Sequence, residues 1–423
     1  MTRPESAPAM ALASLFPTPP WLALIGIGED GRDGLSPAAT RLVAQAALVV
    51  GGARHLALAR PLRAQTLQWP SPISDAMPQI LARRGEAVCV LASGDPFFYG
   101  VGALLMRHFS AAEMICLPAP SSFSLAAARL GWPLQDCALV SLHGRELANI
   151  ARYVQPGARL LALSWDGSTP QKLANWLNAR DFGGARLTIC ERLGGPHERL
   201  RTLTAQDLSA ADFASDAINP LNIIGVEIEA GPKARFLPLA SGLPDEWFAH
   251  DGQITRRAIR AMTLAALAPR RGELLWDIGA GSGSVSIEWM LADAANRAYA
   301  IEQSPERAQT IARNAQELGT PGLRIIQGRA PAALADLPRP DAIFVGGGAS
   351  APAMIDNLFA QLEPRGRLVI NAVTLETQAA LTGAHAKYGG RLLQIALAEA
   401  EPVGRFQGWR AQMPVVQWSF EKK

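Results

Sequence analysis

The run Leu274-Leu275-Trp276-Asp277-Ile278-Gly279-Ala280-Gly281-Ser282-Gly283-Ser284 constrains this chain more than any other stretch. An apolar segment ends in a carboxylate, and three alternating glycines then open a helical pattern, Val285 to Ala292. A strand, a tight turn and a helix bring bare backbone close to a nucleotide-like ligand. Glycine serves there because it lacks a Cβ and tolerates positive φ. Glu302 follows Ala298-Tyr299-Ala300-Ile301, where the next strand should end. That spacing suits a carboxylate reaching a ribose diol. The segment therefore points to an adenosine-bearing cofactor.

Two cofactor classes compete for Gly279, Ala280, Gly281, Ser282 and Gly283. A dinucleotide fingerprint wants a sixth-position glycine, and Ser284 stands there. A methyl-donor site wants an acidic residue just before the glycines, and Asp277 supplies it. Its carboxylate would accept from turn amides or, through water, from an ammonium, and would repel a pyrophosphate. A nicotinamide-dependent oxidoreductase with a fused second domain is thus the alternative reading. Other residues fall at expected strand ends, where open α/β sheets bind ligands. Gly328-Arg329-Ala330-Pro331 is placed to border an adenine. Gly346-Gly347-Gly348 suits a loop pressed against a ligand, and Asn371 is placed to set an amide over a substrate. Thr255 reads equally well as an N-cap and as a ligand contact.

At 423 residues the chain exceeds one ordinary core, and two or three domains are expected. A formal charge of +3 is too small for a nucleic-acid-binding protein, so no nucleic-acid partner is expected. The four cysteines are scattered, with no Cys-x-x-Cys spacing, which favours reduced thiols in the cytoplasm. No apolar run nears the roughly 18 residues of a membrane span. Residues 1–20 are expected to be a disordered leader. Turn formers crowd residues 229–252 and place a domain boundary near 235, giving domains 21–235 and 236–423. Both halves alternate apolar runs with helical patterns, which predicts α/β architecture with parallel sheets flanked by helices. The tail, Leu392 to Ala398 and Val415 to Phe420, reads as a closing antiparallel pair joined through a glycine-rich stretch.

The second half carries Gly242-Leu243-Pro244-Asp245-Glu246, His250-Asp251-Gly252-Gln253-Ile254-Thr255, the Asp277–Ser284 run, Ile287-Glu288-Trp289, Gly346-Gly347-Gly348 and Asn371-Ala372-Val373-Thr374. Together these resemble the C-terminal domain of the precorrin-6Y C5,15-methyltransferase (decarboxylating) family, bifunctional enzymes of cobalamin biosynthesis. The first half carries Gly26-Ile27-Gly28-Glu29-Asp30-Gly31, Gly51-Gly52-Ala53-Arg54-His55, Ala92-Ser93-Gly94-Asp95-Pro96, Pro118-Ala119-Pro120-Ser121-Ser122, Ser141-Leu142-His143-Gly144-Arg145 and Glu191-Arg192-Leu193-Gly194-Gly195. It resembles the two-lobed tetrapyrrole methylase fold.

The resemblance implies a Rossmann-like methyltransferase sheet in the second half and S-adenosyl-L-methionine in each domain, two sites per chain. It implies contacts from Gly279–Gly283, Glu302, Thr255 and Ala330 in the second half. In the first it implies contacts from Gly94, Asp95, Pro96, Ser121 and Ser122, with the Gly26-x-Gly28 turn beside them. The implied reaction methylates precorrin-6B at C5 and C15 and removes the C12 acetate carboxyl, giving precorrin-8X. C5 falls to the first domain; C15 and decarboxylation fall to the second. Such a substrate carries many carboxylates, so guanidinium forks should line its path. Arg54 and Arg145 in the first domain, and Arg256, Arg257 and Arg260 in the second, are the candidates. No metal is expected, no acid or base is singled out, and a homo-oligomer is the expected assembly.

Overall fold

The computed structural model describes residues 20–351 and 353–423; apart from Pro20, the expected leader lies outside the described residues. The chain divides into two compact units. One runs up to Arg145 and resumes at Gln155–Arg235, while the other takes Glu146–Val154 and Phe236–Lys423.

Among the described residues the first unit holds two five-stranded sheets. The first has the order Gln65–Gln68, Leu48–Gly51, Val88–Ser93, Leu22–Ile27, Met114–Leu117, and every pair is parallel. Its central strand, Leu-Ala-Leu-Ile-Gly-Ile, is buried throughout. That is the mark of a strand covered on both faces, and it explains an apolar run with no alternation. Leu22 and Leu24 pack into one core cluster, Ala23 and Ile25 into another.

The second sheet runs Cys137–Ser141, Arg159–Leu163, Asn222–Glu227, Arg186–Glu191, Arg199–Thr204. Here the expected parallel arrangement is corrected. Only the first pair is parallel, and the other three are antiparallel. The short connection between Glu191 and Arg199 allows only a hairpin, since a parallel partner needs a crossover of about a dozen residues or more. Arg199–Thr204 and Gln65–Gln68 contain no buried residue and are largely polar. Neither offers the apolar run by which a strand is recognised.

The second unit is built on a seven-stranded sheet: Arg324–Gln327, Arg297–Glu302, Leu274–Ile278, Ala342–Val345, Arg367–Ala372, Val415–Glu421, Arg391–Ile395. The first five are parallel and the last two join antiparallel. The expected tail pair therefore forms, with the C-terminal strand inserted between its partner and the parallel core. The intervening stretch is an antiparallel hairpin, Ala398–Val403 with Phe406–Ala411. Leu274–Ile278 has Arg297–Glu302 on one side and Ala342–Val345 on the other. Chain order reverses there, and the crevice at the strand C-termini is where such sheets take ligands.

Trp276, Trp289 and Trp418 are fully buried in this unit. The helix Ser284–Ala292 is buried over nearly its whole circumference, Ser284 to Met290. Its sequence shows little amphipathic stripe because it has almost no solvent face.

Candidate functional site

At the switch point of the second unit lies a cavity of about 470 Å³, lined by Gly279, Ala280, Gly281, Glu302, Gly328, Arg329, Ala330 and Gly346–Gly348, with Gln253, Ile254, Thr255 and Arg307 across from them. The glycine turn is built as its sequence suggests. Gly281 has φ +59°, and a Cβ there would come within 2.9 Å of the Gln253 carbonyl oxygen. Gly283 has φ +75°, and a Cβ on it would press to 2.8 Å from Ile311. The first glycine lets the turn meet the facing loop; the second lets the helices pack.

Glu302 is 3% exposed and faces this cavity. One carboxylate oxygen accepts from the Gly281 N–H at 3.0 Å, the other from the Ser304 N–H at 3.0 Å. Each oxygen keeps a lone-pair direction unused, which is what two adjacent ribose hydroxyls need. The carboxylate is thus rigidly aimed and still able to accept.

Asp277 does something other than expected. It is 1% exposed and stands outside the cavity lining. One oxygen accepts from the Ser286 N–H at 3.0 Å and from the Ser286 hydroxyl at 2.6 Å. The other is buried without a partner among the described residues. Its carboxyl therefore ties strand to helix and makes none of the expected bonds to turn amides. Burial pushes it up to about 6, the nearby Glu302 charge adds to that, and the Ser286 bonds hold it back. Ser282 and Gly283 also lie outside the lining.

A second cavity, about 790 Å³, shares Ile254, Thr255 and Gly346 with the first. Its other walls include Arg256, Asn371, Glu399, Glu401, Arg410, Gln412 and Met413. The hairpin residues Glu399, Glu401 and Arg410 were absent from the sequence expectations because the stretch between the two tail strands read as a glycine-rich connection.

Thr255 lines both cavities and is no N-cap. The helix spans Arg257–Leu267 with Arg256 at its N-cap and no side-chain cap bond. Arg256 is exposed and only loosely paired with Asp245, at 3.9 Å, so it is free to meet a ligand carboxylate. Arg257 donates to the Gly242 carbonyl at 2.7 Å and lines neither cavity.

The substrate role expected of Arg260 is overturned. It is completely buried and committed to Glu288 at 2.6 Å, Asp245 at 2.9 Å and the Thr255 and Leu243 carbonyls. Glu288 in turn accepts from the Gly242 and Leu243 N–H groups. Asn371 reaches the second cavity, but its amide donates to Thr263 at 2.8 Å and accepts from Gln417 at 3.0 Å.

In the first unit a smaller cavity, about 50 Å³, is lined by residues from both sheets: Gly28, Glu29, Arg54, Ser93, Gly94 and Ser122 face Arg192, Leu193 and Asn222. Of the expected cofactor residues, Gly28, Gly94 and Ser122 line it. Gly26, Asp95, Pro96 and Ser121 do not line it. Gly26 is needed for packing, since a Cβ there would overlap the Gly94 carbonyl oxygen. Asp95 accepts from the Phe97 N–H at 2.9 Å in its turn. Ser121 caps the helix Ser122–Leu130 through the Ser124 N–H.

Arg54 and Arg192 both pair with Glu29, whose side chain is 6% exposed. The two guanidiniums overcome the burial penalty on Glu29 and hold it below the usual carboxylate range. Arg145 is exposed, 5.6 Å from the Tyr99 ring centre, and lies outside the cavity. Glu29, Ser93 and Arg192 occur within the sequence motifs but carried no assigned role, because spacing alone does not show which side chains face one another.

Among the described residues no three His, Cys, Asp or Glu side chains group as a metal site requires, and no helix is long and apolar enough to cross a membrane.

An open sheet with a glycine turn and a ribose-ready carboxylate at its switch point, next to a second larger cavity, defines a protein of the Rossmann-like class built to take a nucleoside-bearing cofactor. Residues 22–209 match the family of tetrapyrrole (corrin/porphyrin) methylases, and residues 246–422 match the precorrin methyltransferase domain. A precorrin-6Y C(5,15)-methyltransferase [decarboxylating] from Sinorhizobium sp is 53% identical over 404 residues, covering 95% of this chain and 97% of the relative. A cobalt-precorrin-7 C(5)-methyltransferase from Salmonella typhimurium is 32% identical over 203 residues, 47% of this chain and 96% of the relative. A probable cobalt-precorrin-6B C(15)-methyltransferase (decarboxylating) from Pyrobaculum calidifontis is 35% identical over 181 residues, 41% of this chain and 92% of the relative. The chain belongs to the precorrin-6Y C(5,15)-methyltransferase (decarboxylating) family. It is a methyltransferase, and the oxidoreductase alternative is set aside.

Proposed function

We propose that this chain methylates precorrin-6B at C5 and C15 and releases the C12 acetate carboxyl as carbon dioxide, forming precorrin-8X. Each unit takes its own S-adenosyl-L-methionine. The first unit serves C5, the second C15 and the decarboxylation. The observation that carries this reading is 53% identity to a family member along 95% of the chain. Relatives whose names state only one methylation each cover about half of it, 47% and 41%, which supports the division of labour.

The donor supplies an electrophilic methyl group when bound. In the second unit Glu302 would hold the ribose hydroxyls, Gly279–Gly281 would face the methionine portion, and Ala330 would border the adenine. The cradle left open by Gly281 and the unused lone pairs of Glu302 fit that group. The adjoining cavity would take the tetrapyrrole, with Arg256 and Arg410 meeting its carboxylates. Ile254, Thr255 and Gly346 form the shared rim at which donor and acceptor carbon must meet. Catalysis there is chiefly orientation in a restricted space. Loss of the carboxyl needs an electron sink, which the conjugated macrocycle itself provides.

Incubation with precorrin-6B and methyl-labelled donor should add two methyl groups and release one carbon dioxide per substrate. A single methyl, or no carbon dioxide, overturns the reading.

A further inference from the structure

In the first unit, Ser93 lies at the end of the Val88–Ser93 strand and lines the cavity with Gly28, Gly94 and Ser122. Its Oγ is 2.7 Å from Arg54 Nη2 and 2.8 Å from His55 Nε2. Arg54 Nη2 is also 3.0 Å from the same ring nitrogen. A guanidinium only donates, so the Arg54 contact calls for an unprotonated Nε2 and places the ring proton on Nδ1, an atom buried without a partner among the described residues. Oγ accepts a hydrogen bond from Arg54 at the shorter distance, which leaves its own proton available for the single Nε2 lone pair that Arg54 also approaches. One Oγ lone pair is left for the cavity. The result is an ordered chain from the cavity through Ser93 to a neutral imidazole.

Replacing C–H by C–CH₃ at a carbon centre releases one proton, and something must accept it. The cavity walls offer few acceptors. Glu29 is neutralised by two arginines and held low. Cys190 is a buried thiol pushed up to about 12. Arg54 and Arg192 are already protonated. His55 differs. Burial and the Arg54 charge, only partly opposed by Glu29, hold it down to about 4, so its lone pair is present throughout the neutral range.

We infer that Ser93 and His55 form the proton-accepting relay of the first unit's methylation. This rests on the assignment of a methyl transfer to that unit. As the new C–CH₃ bond forms, the π electron pair of the acceptor carbon is consumed and the adduct becomes cationic. Its C–H proton passes to the free Oγ lone pair while the Ser93 O–H proton passes to Nε2. The C–H pair returns to the macrocycle, Ser93 is restored as a hydroxyl, and the imidazolium later releases its proton to solvent. A weak base suffices because a cationic carbon acid is strong; the essential property is being unprotonated at the start.

Nitrogen-15 NMR of the ligand-free protein at pH 7 should show His55 as the Nδ1–H tautomer. An imidazolium or an Nε2–H ring overturns the relay. Ser93→Ala and His55→Gln should slow C5 methylation by about a hundredfold, the usual contribution of positioned acid–base groups. Substrate deuterated at C5 should then reveal an isotope effect absent from the parent enzyme, with affinity for S-adenosylhomocysteine unchanged. Variants as fast as the parent, or slowed without an isotope effect, refute the relay. Ser122→Trp, which fills the cavity, separates the two levels: if C5 methylation survives it, the assignment of the first unit fails; if C5 methylation is lost there but untouched in His55→Gln, only the relay fails.

Discussion

Three carboxylates of the second unit show how local surroundings give one residue type different tasks. Glu302 keeps accepting capacity toward the cavity, so Glu302→Ala should weaken S-adenosylhomocysteine binding by about ten- to hundredfold, read by calorimetry. Glu302→Gln should retain part of it. Asp277 is buried and lacks a partner on one oxygen, and its pKa is raised to about 6. The unfolded carboxyl titrates near about 4. Between those values the folded chain holds a proton the unfolded chain has released. Stability from this group is therefore highest below about pH 4, falls as pH rises to about 6, and is level above. Denaturation of Asp277→Asn across that window should show a shallower fall than the parent, and an equal fall would sink the assignment. Asp277 and Glu302 were both legible in the sequence as acids flanking a glycine turn. That only Glu302 faces the cavity was not, because that depends on the helix Ser284–Ala292 offering Ser286 to Asp277. The third carboxylate, Glu288, is bound into a buried ion pair and does its work between elements.

At the scale of elements, Glu288 and Arg260 fasten three segments together. Helix Arg257–Leu267, helix Ser284–Ala292 and the loop at Gly242–Leu243 meet at this ion pair. Removing one partner strands a buried charge, so Glu288→Ala should cost about 3–5 kcal/mol in denaturant unfolding. A loss below about 1 kcal/mol would show that the pair is not the fastening it resembles. The same elements carry Thr255 and Arg256 to the cavities, so partial loosening should first raise the KM for both ligands. Most strands could be read from apolar runs, since a strand covered on both faces leaves a continuous hydrophobic signal. Gln65–Gln68, Arg199–Thr204 and the Ala398–Ala411 hairpin could not, because exposed strands draw their stability from backbone pairing that any polar sequence can make.

For the whole molecule, the two proposed donor cavities lie in different units, and each should be separately removable. Ala280→Trp fills the proposed donor cavity of the second unit at a position without positive φ. It should abolish C15 methylation and carbon dioxide release while C5 methylation persists. Ser122→Trp should give the reciprocal pattern. Calorimetry should find about two S-adenosylhomocysteine per parent chain and one in each variant. Equal loss of all three events in either variant would sink the division of labour.

The sequence by itself determined the glycine turn, the acid at the end of the following strand and a boundary near residue 235. These depend on short-range patterns: glycine where backbone must come close, an acid at a strand end, turn formers where packing stops. Only the tertiary structure decided which arginines are free. Arg256 and Arg260 stand four residues apart at the start of one helix, yet one is exposed beside a cavity and the other is completely buried against Glu288. Charge and spacing cannot tell them apart, because the partner that neutralises a guanidinium is brought in by the fold from elsewhere in the chain. The same holds for Ser93, His55 and Arg54, whose shared proton path exists only once strand and helix set their side chains within hydrogen-bond reach.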